Sequence, residues 1–300
     1  MTATTRPAPS VALPLADSPL GRTISTTATD IWNDSCAIDE LEYAISYGAV
    51  GATANPTIVT DVWKKEPAHW RERVRSLAAD RPTATEVDLA WLVVEEMSRR
   101  GAKLLEPAFE AYAGRQGRLS VQTDPTFFRS LDRMLDQGVH FDGLAPNIIV
   151  KFPATTAGIP AMEEATYRGV NVNTTVCFSV SQAIAAAEAI ERGLRRREAE
   201  GLAVDRMGPV VTIMMGRIED WLRLQTERDG IVVDPAIVAE LSAHFPDFVR
   251  AYEPDGLAPA AFDSFPPTAR TLRAFIASYY ELLHQVTDAM IPNPDVRSAS

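Results

Sequence analysis

The sequence predicts an α/β protein built as a TIM-type (β/α) barrel, and three observations lead to this prediction. Six strand-like stretches alternate with helix-like stretches, as they do in a chain of parallel βαβ units. The chain has 300 residues, of which 46% are hydrophobic, so it can bury one substantial core of barrel size. No G-x-G-x-x-G motif or P-loop follows the first strand, which argues against an open dinucleotide-binding sheet.

The first predicted strand follows a stretch without pattern. Residues 1–24 are rich in Thr, Ala, Pro and Ser and show no hydrophobic period, so we expect a disordered tail there. "ISTTATDIWND", residues 24–34, predicts the first strand. Ser35 is the predicted cap of the helix that follows it, and Gly48 is the predicted end of that helix.

The second strand is predicted in "AVGATANP", where Asn55 and Pro56 end it. Residues 57–113 then carry apolar side chains at helical spacing, which predicts a long helical stretch with Gly101 as a tolerated interruption.

Four more strands are predicted in the middle of the chain, with a helix after each of the first three. They lie in "RLSVQTDP", "PNIIVKFPAT", "VNVNTTVCFS" and "GPVVTIMMG". Residues 25–230 are therefore expected to form the barrel domain.

The end of the chain is the part that fits a barrel least well. A barrel of this type needs eight strands, but after Arg217 the sequence offers one short candidate, "GIVVD", and then helices. Either the barrel is incomplete, or a strand is disguised, or a partner chain completes it. Residues 231–300 are expected to form a helical extension, rich in aromatic side chains, that packs on the barrel or on a partner chain.

Composition argues against several classes of function. Twenty-nine basic and 40 acidic residues give a net charge of −11, which argues against a nucleic-acid partner. The two cysteines and the absence of an apolar leader or span near the N-terminus lead us to expect a cytoplasmic protein without membrane contact. The four histidines are widely spaced and lack metal-ligating neighbours, so we expect no metal and no cofactor.

Polar side chains stand at the carboxyl end of each predicted strand, which is where barrels place their chemistry. In chain order these are Asp34, Asn55, Gln122 with Thr123, Lys151, Asn173 with Thr175, and Thr212, and Arg217 follows just beyond. Lys151 ends an apolar, β-branched run. Burial lowers the pKa of an amine, and neighbouring acids and hydroxyls can move protons, so this set is the composition expected of an amine that forms a Schiff base with a carbonyl substrate.

The same residues resemble the transaldolase family, whose members are class I enzymes with a Schiff-base lysine. The resemblance covers about residues 25 to 221 and lies in the Asp after the first strand, "ATANPTIV", "NIIVKFPAT.AGI", "GVNVNTTVCFS..QA" and the "GR" after the sixth strand. It implies that Lys151 is the Schiff-base lysine and that Asp34 is the acid and base.

The resemblance also implies roles for the other strand-end residues. Asn55 and Asn173 would hold substrate hydroxyls, and Thr175 would help to bind the catalytic water. Arg217 would meet the substrate phosphate. Two further residues, Thr53 and Thr212, would line the pocket.

Two features depart from the family pattern. Gln122 stands where transferase members carry a glutamate, and a glutamine there resembles the fructose-6-phosphate aldolase branch. Because glutamine cannot ionise, the proton shuttle has to differ. In addition, the late strand that bears a second phosphate-binding arginine in the family has no counterpart among the predicted strands.

Each candidate residue also has a structural interpretation. Lys151 could be a solvated strand-end lysine, and Asp34 could cap a helix. The remaining roles are equally ordinary: a turn former for Asn55, strand residues for Thr175 and Thr212, satisfaction of backbone groups for Gln122, and pairing with Glu219 or Asp220 for Arg217.

Three function classes stay open. The first is a Schiff-base enzyme that makes or breaks a C–C bond next to a ketone in a sugar or sugar phosphate; Gln122 favours aldolase chemistry (a lyase) over three-carbon transfer (a transferase). The second is a barrel isomerase in which Asp34 moves protons and Lys151 stabilises charge. The third is a non-catalytic relative that binds a ligand or partner. A homo-oligomer is compatible with all three.

Overall fold

The computed structural model describes residues 18–230 and 253–291. These residues form two compact units. Of the described residues, the first unit contains those up to Gln122, Gly143–Ile148 and those from Phe275 onwards. The second unit contains Thr123–Asp142 and the described residues between Ile149 and Ala274.

The described residues contain six strands and ten α-helices. The strands are β1 (Ile31–Asn33), β2 (Ala49–Thr53), β3 (Arg118–Gln122), β4 (Ile148–Pro153), β5 (Val172–Cys177) and β6 (Val210–Ile213). The helices are α1 (Pro19–Thr26), α2 (Ile38–Ser46), α3 (Pro56–Lys65), α4 (Pro67–Asp80), α5 (Glu86–Ala111), α6 (Leu131–Asp142), α7 (Gly158–Tyr167), α8 (Val180–Ala199), α9 (Met215–Asp229) and α10 (Pro266–Met290).

In the first unit, β1, β2 and β3 pair in chain order, and both pairings are parallel. Trp32 of β1 lies beside Gly51 of β2, where a Cβ atom would come within 2.4 Å of the indole ring. Gly51 is therefore needed for the close approach of the tryptophan ring. On the other face, Leu119 of β3 packs against Gly101 of α5.

In the second unit, β4, β5 and β6 also pair in chain order and in parallel. All six residues of β4 and all six of β5 are buried, as is expected for parallel strands covered by helices. The helix α8 that follows β5 begins with a capping box, in which Ser179 and Gln182 exchange side-chain and backbone hydrogen bonds.

The fold is a TIM-type (β/α) barrel, of which the described residues supply six strands in alternation with helices. The candidate strand "GIVVD" lies, apart from its first residue, outside the described residues. So do three of the aromatic residues of the predicted extension, Phe245, Phe248 and Tyr252.

The N-terminal elements differ from the predicted ones. The predicted first strand was too long, because its first three residues belong to α1 and only Ile31–Asn33 form β1. The side chain of Ser18 caps α1 by accepting a hydrogen bond from the Gly21 amide, and Pro19 occupies the first turn. These local signals outweigh the β-branched composition of the stretch.

The predicted cap of α2 was wrong. The cap is Ala37 and not Ser35, whose hydroxyl accepts a hydrogen bond from the Ala37 amide in the preceding turn. The predicted helical stretch 57–113 consists of three helices, α3, α4 and α5. The breaks fall before prolines, because the residue that precedes a proline is disfavoured in the helical conformation.

The helical extension is present as α10, whose aromatic side chains are largely buried. Phe275 and Tyr279 are buried in the first unit, and the Tyr279 ring stacks on Trp91 of α5 with 5.5 Å between ring centroids. The Ser278 hydroxyl contacts that of Thr57 on α3 at 2.9 Å. Through these contacts the C-terminal part of α10 packs against α3 and α5 of the first unit. In the part of the chain that is described, no helix has the length and apolar character needed to cross a bilayer.

Candidate active site

Strand β4 presents Lys151 on the face that does not contact its helices. Phe152 points to the helical side, where its ring leaves no space for a Cβ atom on Gly138 of α6. Because side chains alternate along a strand, Lys151 lies on the opposite face. Lys151 is only 7% exposed, so the interpretation as a solvated strand-end lysine is wrong.

Strand register places Asn173 directly beside this lysine. Lys151 is paired with Asn173 across β4 and β5, and neighbouring residues in register project to the same face of a parallel sheet. The intervening Thr174 points the other way, because its hydroxyl contacts the sulfur of Met162 on α7 at 3.4 Å. The chain thus brings an amine and an amide together on one buried face.

Strand β6 adds a hydroxyl that orients this amide. The Thr212 hydroxyl donates a hydrogen bond of 2.8 Å to Oδ1 of Asn173. Thr175, two residues beyond Asn173, is 2% exposed, and its hydroxyl lies 3.8 Å from the sulfur of Met214. Thr212 is therefore more than an ordinary strand residue, since it fixes the amide beside Lys151.

Thr123 holds the backbone of Lys151 and was missing from the predicted site. Both its amide and its hydroxyl donate to the Lys151 carbonyl oxygen at 3.2 Å. The signal was available, because Thr123 stands at the end of β3 among the polar strand ends.

In the same unit, burial raises the pKa of the Cys177 thiol to about 12, which makes this cysteine a poor nucleophile at neutral pH.

Arg217 differs from the buried candidates in its exposure to solvent. It is exposed in the first turn of α9, where its amide donates to the Met214 carbonyl at 3.2 Å. Asp220, one of the two predicted ion-pair partners, instead pairs with Arg223 at 2.7 Å. The other candidate partner, Glu219, has a side chain that lies outside the described residues.

The first unit places Asp34 in an exposed turn immediately after β1. Because Ala37 is the N-terminal cap of α2 and makes no side-chain hydrogen bond, the helix-cap interpretation of Asp34 is wrong. Asp34 lines an open cavity of about 480 Å³ together with Glu40, Asp61 and Lys65. The hydrogen bond from Lys65, and then that from Ser35, lowers the pKa of Glu40.

Asn55 and Gln122 line a separate small cavity of the first unit. Asn55 is the N-terminal cap of α3, since its side chain accepts a hydrogen bond of 3.0 Å from the Ile58 amide. Gln122 is 4% exposed, and within the described residues its Oε1 atom has no hydrogen-bond partner. The cavity of about 10 Å³ has room for about one water molecule. Thr53, at the end of β2, is buried.

The predicted site residues thus fall into two sets. The second unit joins the buried Lys151, Asn173 and Thr175 with the half-buried Thr212 and leaves Arg217 exposed. The first unit joins Asn55 and Gln122 at one cavity and places Asp34 at another. Over the described ranges, 18–230 and 253–291, no group of three or more His, Cys, Asp or Glu side chains could hold a metal ion.

Comparison with known proteins gives consistent results. A family model described as "Transaldolase/Fructose-6-phosphate aldolase" matches residues 31–254. A protein of Mycolicibacterium smegmatis named "Transaldolase" is 26% identical over 224 residues, which cover 72% of this chain and 60% of the relative. A "Transaldolase" of Thiobacillus denitrificans is 30% identical over 206 residues, which cover 65% of this chain and 56% of the relative.

A third relative, a "Transaldolase" of Saccharopolyspora erythraea, is 29% identical over 217 residues, which cover 69% of this chain and 58% of the relative. The chain therefore spans less than two thirds of the length of the curated relatives that it matches.

Proposed function

Since the chain belongs to the transaldolase/fructose-6-phosphate aldolase family, we propose that it is a Schiff-base enzyme that makes or breaks a C–C bond next to a ketone in a sugar or sugar phosphate. The observation that carries the proposal is the buried Lys151 beside Asn173 and the Thr212 hydroxyl. An amine on a buried, polar-lined strand face is suited to covalent catalysis on carbonyl compounds.

The lone pair of the Lys151 amine attacks the ketone carbon and forms a C–N bond. The carbonyl oxygen takes up protons and leaves as water, so that a protonated imine remains. This imine draws electrons from the bond between its α and β carbons, which breaks as the hydroxyl on the β carbon gives up its proton and becomes an aldehyde. The electron pair remains as an enamine, and a proton added to the α carbon returns the imine. Hydrolysis of this imine releases the ketone and the amine, and the reverse sequence forms the bond.

The residues beside Lys151 receive roles that their geometry allows. Asn173 holds a substrate hydroxyl, with its amide oriented by Thr212. Thr175 helps to bind the water that adds to and leaves the imine carbon. Thr123 keeps the lysine backbone in place.

The remaining roles rest on the family resemblance. Asp34 exchanges the proton of the substrate hydroxyl, and Asn55 binds a second hydroxyl. Thr53 lines the pocket, and Arg217 binds a phosphate group if the substrate carries one.

Gln122 favours aldolase chemistry over three-carbon transfer. A glutamine can position a water molecule but cannot accept its proton, so proton transfer is left to Asp34 and to hydroxyl groups. The buried Oε1 atom of Gln122 supports this role, because among the described residues it has no hydrogen-bond partner and can accept a hydrogen bond from a water molecule.

The setting of the enzyme follows from the same proposal. We place residues 25–230 in the catalytic domain and residues 231–300 in the helical extension. We propose a small-molecule substrate and a cytoplasmic location. The proposed reaction is compatible with a monomer and with a homo-oligomer. Imine chemistry on a lysine requires neither a metal nor a cofactor.

Borohydride trapping tests the proposal. The protein is incubated with the ketone dihydroxyacetone and sodium borohydride, which reduces the imine to a stable amine. We expect one adduct on the peptide that contains Lys151, and we expect it to be lost in Lys151→Met. The matched control is Lys103→Met, which changes an exposed lysine of α5 and should leave the adduct unchanged. Labelling of a different lysine would overturn the assignment, and an absence of any adduct would favour the isomerase or the non-catalytic class.

A further inference from the structure

Strand β5 contains a strained residue directly after Thr175. Val176 has a φ of 53°, in the left-handed region that a β-branched residue rarely adopts. The register to β6 also shifts here: Thr174 pairs with Val211 but Cys177 pairs with Ile213, so β5 holds one extra residue. This is a β-bulge in which valine takes the conformation that glycine usually supplies.

The side chain of Gln182 binds this bulge from the first turn of α8. Gln182 is completely buried, and its amide nitrogen lies 3.2 Å from the Val176 carbonyl oxygen. The same nitrogen donates to the Ala154 carbonyl at 2.8 Å and lies 3.1 Å from the Thr268 hydroxyl. With two N–H groups and three acceptors, the amide nitrogen is fully used.

The amide oxygen of Gln182 is used as well. It accepts hydrogen bonds from the Phe178 amide at 3.0 Å and from the Ser179 amide at 3.2 Å. Both residues belong to the turn between β5 and α8. One side chain therefore spans the turn on both sides of the bulge.

These contacts connect Gln182 to the strand that carries Lys151. Ala154 follows β4 directly, and its amide donates to the Thr175 carbonyl at 2.7 Å. Gln182 thus binds the carbonyl of Ala154 while the amide of Ala154 binds Thr175. The ends of β4 and β5 are held in one arrangement by a residue that lies on neither strand.

We propose that Gln182 is a positioning residue for the proposed Schiff-base reaction. It holds Val176 in the left-handed conformation, and the bulge in turn fixes the direction of Thr175 and Asn173 relative to Lys151. The inference rests on the proposed function for its chemistry. The hydrogen bonds of Gln182 to Val176 and Ala154 do not depend on that function. Bulges beside active sites often re-aim a side chain, and strained backbone persists only where its surroundings enforce it.

The experiment first removes the hydrogen bonds of the Gln182 side chain and then the steric strain at Val176. Gln182→Leu keeps the size of the side chain but none of its hydrogen bonds. We expect the rate of borohydride trapping with dihydroxyacetone to fall about 10²-fold, as is typical of a small misplacement of reacting groups. Glycine adopts positive φ without steric cost, so the double variant Val176→Gly/Gln182→Leu should recover about tenfold of that rate.

The rescue separates positioning from simple stability. A glycine in a strand weakens it, so a variant that lacked only stability would not gain trapping from Val176→Gly. The matched control is Gln285→Leu, the same substitution on a half-buried residue of α10, which should trap at the wild-type rate. Wild-type trapping in Gln182→Leu, or a double variant that is no faster than Gln182→Leu, would overturn the proposal.

A second measurement does not depend on the chemistry. Hydrogen exchange at the Ala154 amide reports its bond to Thr175, so exchange should be faster in Gln182→Leu and slower again in the double variant. If the wild type gave no adduct, the proposed function would fail. The exchange pattern would then still show whether Gln182 holds the ends of β4 and β5 together. Unchanged exchange in Gln182→Leu would overturn it.

Discussion

The two units of this chain set up their candidate groups in different ways. In the second unit, Lys151 and Asn173 are buried within strands, and their relative position follows from strand register. In the first unit, Asp34 is exposed in a turn after β1, beside a cavity that also carries the ion pair of Glu40 and Lys65.

The difference concerns what fixes a side chain. A residue inside a paired strand is oriented by the backbone hydrogen bonds of the sheet, which in the second unit are supported by the hydrogen bonds of Gln182. A residue in a turn has no such backbone pairing and is oriented by local contacts alone. We therefore expect the groups of the second unit to be preorganised, and Asp34 to contribute through its charge and proton rather than through its packing.

The substitution Asp34→Asn tests this difference between the two units most directly. We expect turnover of a ketose phosphate to fall about 10²-fold or more, because the amide cannot accept a proton. The free energy of unfolding should stay unchanged, since Asp34 is exposed and does not cap α2. Coupled assays of aldehyde release and urea unfolding measure both quantities. If stability falls and turnover holds, Asp34 is a structural residue.

A smaller effect is expected from Asn173→Ala in the preorganised set. Loss of the amide removes the proposed substrate contact and leaves the Thr212 hydroxyl without its acceptor. We expect turnover to fall about tenfold to 10²-fold, and the free energy of unfolding to fall by about 1–2 kcal/mol.

The matched control for this variant is Asn171→Ala, just before β5. Its side chain accepts a hydrogen bond of 2.8 Å from the Gly208 amide, so a similar loss of stability is expected. Turnover should not change, because Asn171 precedes the strand end that carries the site. Equal losses of turnover in both variants would show that Asn173 acts through stability only.

Most of the second unit could be predicted from the sequence. The apolar run before Lys151 and the "NVNTT" stretch are short segments of strand-forming residues that contain polar side chains. Because side chains alternate along a strand and neighbouring strands pair in parallel, these polar side chains are expected on the same face of the sheet. Thr123 was visible among the strand ends, although its hydrogen bonds to the Lys151 carbonyl were not.

The bulge at Val176 could not have been predicted, because valine is a strong strand former and gives no local sign of positive φ. Its cause lies in Gln182, six residues further along, and in Ala154, 22 residues before it. In the first unit, α1 was missed because the Ser-Pro cap signal lies in a tail that looked featureless. Contacts between distant segments and short cap signals are what a reading by hydrophobic period overlooks.

A redistribution of products, rather than a loss, is expected from Gln122→Glu. A glutamate can hold a water molecule and accept its proton, so the variant should shift from reversible addition of a small ketone to an aldehyde toward transfer from a ketose. Paired donor and acceptor assays give the product ratio. Efficient three-carbon transfer by the wild type, unchanged in the variant, would leave Gln122 with a structural role.

The smallest expected effect concerns the ion pair of Glu40 and Lys65, which lines the same cavity as Asp34. Because the hydrogen bond from Lys65 lowers the pKa of Glu40 below 4.5, the pair stabilises the folded state above that pH, and the contribution is lost as the pH falls through the folded-state value. Both side chains are more than a third exposed, so we expect only about 0.2–0.5 kcal/mol at pH 7. Urea unfolding of Glu40→Gln should show this difference at pH 7 and a smaller difference as the pH is lowered. Glu42→Gln, an exposed change on the same helix, should show none at pH 7. A loss above about 1 kcal/mol in Glu40→Gln would mean that this turn is held as firmly as the strands of the second unit, and the contrast between the two units would then fail.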